Sequence, residues 1–136
     1  MKITVETNVK APIEKVWADW NDPRAVEQWN TPSPDWYTPR ASVDLREGGK
    51  FASRMEARDG SMGFDFEGTY TRVEPQRFIE YSMADGREVQ VEFIAGTDAV
   101  TVRETFDAEN VYPPEHQRQG WQAILESFAR FVEKRA

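Results

Sequence analysis

Apolar and polar positions alternate from the start of the chain, with Ile3, Val5, Thr7 and Val9 set against Lys2, Thr4, Glu6 and Asn8. A repeat of two sends successive side chains to opposite faces, so this segment predicts a half-buried strand. Ala11-Pro12 breaks it, and Pro12 suits the first turn of a helix. Ile13, Val16, Trp17 and Trp20 follow at helical spacing and stop near Asn21-Asp22-Pro23. A second short helix is expected over 24–29, ending at Trp29. The stretch 30–39 holds Pro32, Pro34 and Pro39 and predicts a loop carrying Trp36 and Tyr37.

From 41 to 106 the period is two throughout. Val43 and Leu45 mark one strand, closed by Gly48-Gly49. Phe51, Ser53, Met55 and Ala57 mark the next, closed by the hairpin signal Asp59-Gly60. Phe64, Phe66, Gly68 and Tyr70 form a third, stopped by Pro75. Ile79, Tyr81 and Met83 form a fourth, turned by Asp85-Gly86. Val89, Val91 and Phe93 form a fifth, turned by Gly96-Thr97-Asp98, and Val100, Val102 and Phe106 a sixth. The short connections require antiparallel neighbours, because a parallel crossover needs a dozen or more residues. After Pro113-Pro114, Trp121, Ile124, Leu125, Phe128 and Val132 form the stripe of a long amphipathic helix, with Arg118, Gln122, Glu126, Arg130 and Glu133 opposite. The expected class is α+β: a seven-stranded antiparallel sheet, two short helices after its first strand, and a final helix covering the apolar face.

Composition narrows what such a fold can do. A chain of 136 residues is sized for one domain, here read as 1–136, that needs no disulfide or metal to hold it. The absence of cysteine removes disulfides, cysteine-based zinc sites and thiol nucleophiles. A net charge of −7 with no basic stripe argues against nucleic acid as a partner. The opening MKITVETNVKAP has no apolar core or cleavage site of a secretory signal, and no apolar run is long enough for a membrane span, so a cytoplasmic location is expected. Five Trp, eight Phe, four Tyr and four Met fit either a core of large side chains or an enclosed pocket lined by aromatics.

Several segments carry a resemblance. The opening Ala11-Pro12-Ile13 followed by Val16-Trp17, the turn Gly48-Gly49-Lys50-Phe51, the block Gly68-x-Tyr70-x-x-Val73-x-Pro75 and the pair Gly120-Trp121 are similar to the activator-of-heat-shock-protein-90-ATPase homologue family. That family sits within the START-like, or SRPBCC, superfamily, and the similarity runs over essentially the whole chain. The resemblance implies a helix-grip fold, a curved sheet wrapped on the long C-terminal helix with a cavity between them. It also implies a hydrophobic ligand, since members of the superfamily bind lipids, sterols, polyketides and plant hormones, and a minority are cyclases or dehydratases. The eukaryotic co-chaperone that names the family carries a further domain without counterpart in this sequence, so co-chaperone activity is not expected.

The candidate site follows from side-chain parity. Phe51, Ser53 and Met55 point inward from one strand and Phe64 and Phe66 from the next. Tyr81, Met83 and Phe93 do so from the strands after them, and Trp121 and Leu125 face them from the helix. Ser53 and Tyr81 are the polar exceptions and would supply the few directional contacts a ligand needs. Glu104 lies between Val102 and Phe106 and must also point inward, where a carboxylate has to find a partner or shift its pKa. Gln117 shares the helix's inner face and could bond a ligand or cap the cavity's end. Gly120, unfavourable inside a helix, suggests close approach of the sheet or of a ligand. Trp29, Trp36 and Tyr37 could form a lid or pack the sheet's open end.

The single histidine, His116, is expected to be an exposed residue at the helix start. Asp65, Glu67 and Thr69 should face solvent, and no phosphate loop or hydrolase motif occurs. No cofactor, metal site or catalytic residue is assigned. Three readings remain: a carrier or sensor for a small hydrophobic or aromatic molecule, a cyclase or dehydratase using Glu104 with Tyr81 or Gln117, and a protein-interaction module without a cavity. A filled interior favours the third. An open cavity holding a buried, strongly shifted Glu104 favours the second, and an open cavity without one the first. Edge strands and exposed aromatics leave a homodimer open.

Overall fold

The computed structural model describes residues 1–135. Strand β1 (Lys2–Val9) ends where Pro12 caps helix α1 (Ile13–Asn21), its carbonyl accepting from the amides of Lys15 and Val16. Asp22 then serves two helices. Its amide closes α1 on Ala18, while its carboxylate accepts from Arg24 to open α2 (Pro23–Trp29), with Pro23 at the first helical position. Six strands follow: β2 (Trp36–Val43), β3 (Lys50–Ala57), β4 (Gly63–Glu74), β5 (Phe78–Ser82), β6 (Glu88–Ala95) and β7 (Val100–Asp107). Helix α3 (Pro114–Arg135) ends the described chain.

The strands form one antiparallel sheet in the order β1-β7-β6-β5-β4-β3-β2. The six later strands are a meander, and β1 returns to pair with β7, so α1 and α2 carry the chain from one edge of the sheet to the other. The curled sheet wraps on α3, the helix-grip arrangement. Gly49 makes the start of β3 possible, since a Cβ there would sit 2.1 Å from the Asp44 carbonyl oxygen. With that turn closed, Gly48 and Gly49 bond to both backbone groups of Tyr70 and fix β4 against β3.

Two strands differ from the sequence expectation. Trp36, Tyr37 and Pro39 belong to β2 and not to a loop. Proline is tolerated here because β2 is an edge strand and its register breaks between Tyr37 and Arg40, so no ladder amide is lost. In β4 the register shifts between Tyr70 and Arg72, which moves the inner face from the even positions to Val73, opposite Ile79.

The dry core occupies the β1-β7-β6 side. Ile3, Val5, Val91, Phe93, Val102 and Phe106 meet Leu125, Phe128 and Val132 of α3, all with almost no exposure. Trp20 stacks on Trp29 at 4.8 Å, and both stand edge-on to Phe128 at 4.9 Å, pinning α1 and α2 to α3. Among the described residues no helix is long and apolar enough to cross a membrane.

Candidate functional site

Toward β3, β4 and β5 the packing stops being complete. A pocket of about 620 Å³ lies between the inner faces of these strands and the N-terminal half of α3. Its floor is a set of aromatic rings made possible by Gly68. A Cβ at Gly68 would come within 3.0 Å of both the Phe51 and Tyr81 rings, and its absence lets them meet edge-on at 4.6 Å. Tyr70 and Phe66 extend this wall, and Trp121 closes the helix side by stacking flat on Phe106 at 4.0 Å. Gly120 leaves the roof open. A Cβ built there meets nothing within 4 Å, so no approach of the sheet requires this glycine.

Set into these apolar walls are Ser53 from β3, Tyr70 from β4, Tyr81 from β5 and Glu104 from β7, each only 4–6% exposed. None of their side-chain polar atoms is hydrogen-bonded or ion-paired to another described residue. None is sealed off either, since the only fully enclosed, unpartnered side-chain oxygen among the described residues is Oε1 of Glu109. All four groups therefore open onto the pocket. Burial alone pushes the Glu104 carboxyl up to about 8, because a charge there loses its hydration and gains no partner. Burial also raises the Tyr81 phenol well above its ordinary range, with Glu104 and Tyr70 adding to the effect. The Tyr70 phenol rises for the same reason, with Asp44 contributing.

The mouth has a different chemistry. Arg87 reaches Asp85 at 2.7 Å and Glu109 at 3.6 Å, and exposed His116 stacks on Tyr112 at 5.4 Å. Gln117 staples the loop between β7 and α3. Its Oε1 accepts from the Glu109 amide, and its Nε2 donates to the carbonyls of Glu109 and Tyr112. With both amide hydrogens used, Gln117 holds the rim in place and has little left for a ligand.

Of the positions singled out by parity, Phe51, Ser53, Met55, Phe64 and Phe66 line the pocket from β3 and β4. Tyr81, Met83 and Glu104 line it further along the sheet, and Trp29, Gln117, Gly120 and Trp121 from the helices. Three do not. Trp36 packs on half-exposed Phe64 at 5.8 Å, Phe93 is held edge-on by Trp17 and Trp20, and Leu125 is wholly inside the dry core. Sequence reasoning left out Trp20, Tyr70 and Ile79. Tyr70 was within reach, since it shares the parity of Phe64 and Phe66 on the same strand.

This architecture can be set against known proteins. The family model described as activator of Hsp90 ATPase homolog 1-like protein matches residues 10–133. The chain belongs to that family. Two solved structures are similar throughout. The solution structure of the AHSA1-like protein from Aeromonas hydrophila is 48% identical, with a TM-score of 0.92, over 99% of this chain and 94% of that one. A protein from Cytophaga hutchinsonii is 47% identical, with a TM-score of 0.85, over 98% and 93% of the two chains. A protein from Chromobacterium violaceum, 23% identical over 97% and 96% with a TM-score of 0.86, shows the fold alone. No curated protein matches the chain. The family match spans every element that builds the pocket, from α1 through α3.

Proposed function

We propose that this family member is a binding protein for a small hydrophobic or aromatic molecule, held between the sheet and α3. One observation carries the reading: a pocket of about 620 Å³, within the usual size of small-molecule sites, combines aromatic walls with four buried polar groups that have no partner among the described residues. A core built only for stability would fill that volume and satisfy those groups. The unfilled interior is also what separates a carrier from an interaction module. Trp20, Trp29 and Trp121 line the pocket, so ligand entry is expected to change intrinsic tryptophan fluorescence. Native mass spectrometry of the protein purified from its host is expected to show a retained small molecule. No bound mass, together with no fluorescence response across a broad panel of aromatic and lipid-like compounds, would sink the carrier reading.

The buried, shifted Glu104 is the feature that favours an enzyme, and it supports a second reading. The carrier stands first because burial alone accounts for that shift and no described residue orients the carboxyl as a catalytic partner would. A carboxyl that titrates near 8 beside a phenol has the properties of a general acid, as a cyclase or dehydratase would need. Glu104 with Tyr81 is the pair that fits; Gln117 is occupied at the rim. Incubation with a bound ligand separates the two readings. A carrier returns the ligand unchanged, whereas an enzyme returns a product whose formation stops in Glu104→Gln.

A further inference from the structure

The polar groups in the pocket share a property that narrows the ligand class, on the reading that the pocket binds a ligand at all. Ser53, Tyr70 and Tyr81 each present a hydroxyl, and no described cation reaches Glu104. In register beside Glu104 stand Val5 on β1 and Val91 on β6, and the roof above is Gly120, Trp121 and Ile124, so none of these neighbours supplies charge. A ligand carboxylate or phosphate placed deep in the pocket would lose its hydration without gaining a counter-ion. Among the described residues the one lysine or arginine lining the pocket, Arg87, lies at the mouth and is already engaged by Asp85 and Glu109.

We infer that the deep end of the pocket receives the acceptor oxygen of an uncharged molecule, a ketone, quinone or similar carbonyl on an apolar skeleton, bound oxygen-first by the Glu104 carboxyl and the Tyr81 hydroxyl. At neutral pH that carboxyl keeps its proton, so it too is a donor. A carbonyl oxygen accepts two such hydrogen bonds, and Tyr81, whose phenol feels the Glu104 carboxyl, supplies the second, while the skeleton lies against Phe51, Phe66 and Trp121. Such a site also discriminates well. A ligand that cannot accept leaves buried donors unpaired, which costs more than a lost contact.

The test is a panel of one skeleton with four ends, titrated calorimetrically into the intact protein at pH 7: acetylnaphthalene, naphthoate, naphthylmethylamine and ethylnaphthalene. The ketone is expected to bind about tenfold or more tighter than the other three. Glu104→Gln, which keeps a donor, is expected to retain most of that preference, and Glu104→Leu to lose it. Tyr81→Phe, which removes one hydroxyl and leaves the ring in place, should weaken the ketone and spare ethylnaphthalene. Naphthoate or the amine binding as tightly as the ketone would overturn the ligand class and leave the pocket reading standing. Binding of all four with equal affinity would do the same. No binding by any of the four, the hydrocarbon included, would overturn both.

Discussion

Between Val102 and Phe106, where its neighbours on β7 contribute burial, Glu104 introduces a carboxyl that folding must keep protonated. Its folded-state pKa of about 8 lies above the ordinary 4.5, so the sign of its pH dependence is fixed. Below 4.5 both states hold the proton and nothing is lost. From there to about 8 the unfolded chain releases the proton while the folded one keeps it, so stability falls as pH rises. At 1.36 kcal/mol per pH unit the full penalty reaches roughly 5 kcal/mol. Glu56, Asp59, Glu80, Asp85 and Asp107 are held below their ordinary range and titrate on the acid side of this window. Urea denaturation at pH 5 and pH 9 is therefore expected to show the parent protein losing several kcal/mol and Glu104→Gln losing far less, with the variant the more stable at pH 9. A variant weaker than the parent at pH 9 contradicts the assignment. Affinity for an uncharged acceptor should hold through this range and fall as pH rises through about 8, where folded Glu104 changes from donor to anion. The groups facing it, Tyr81 and Tyr70 with Asp44 beside the latter, do not oppose this, since both phenols stay neutral there. Parity alone made Glu104 legible in the sequence. Its lack of partners was not, because that depends on how four strands curl around one space.

The elements were legible where their periodicity was uninterrupted, as in β1, β3, β6, β7 and α3. They were hidden where an edge relaxes the rules, as at Trp36–Pro39, or where the bulge after Tyr70 reverses the faces of β4. The edges also answer to the helices in a way that no period announces. Arg118 and Gln122 of α3 donate to the β1 carbonyls of Thr4 at 2.8 Å and Glu6 at 3.0 Å, while Glu27 of α2 accepts from the Ala41 amide of β2. Both ends of the sheet are thus occupied by side chains, which blunts strand-to-strand association. Replacing Arg118 and Gln122 together with Ala should raise concentration-dependent association in sedimentation velocity, and no change relative to the parent would show that the caps are idle. Gly120 belongs to the same scale. Because nothing occupies the space where its Cβ would stand, Gly120→Ala is expected to stabilise α3 by up to about 1 kcal/mol in thermal denaturation. Destabilisation would instead mean that the sheet does approach α3 there.

Across the whole molecule, one concave face carries two regimes side by side. Over β1, β7 and β6 it is closed by Leu125, Phe128 and Val132; over β3, β4 and β5 it stands open beneath Gly120. The sequence spreads aromatics over both and does not mark the division, which is why Phe93 and Leu125 were grouped with pocket residues such as Met55. The division has a thermodynamic signature. Leu125 has no exposure and protein on all sides, so Leu125→Ala leaves a cavity that rigid neighbours cannot fill and should cost about 3 kcal/mol. Met55 is nearly as buried, yet one side of it borders space that is already empty. Truncating it enlarges that space and forfeits fewer contacts, so Met55→Ala should cost less than half as much as Leu125→Ala. Ligand binding should reverse the order, with Met55→Ala altering affinity and Leu125→Ala leaving it near the parent value at a temperature where both variants are folded. Equal losses of stability in urea denaturation would mean that the open half is packed like the closed half. The helix grip would then be a core throughout, with no room for a guest.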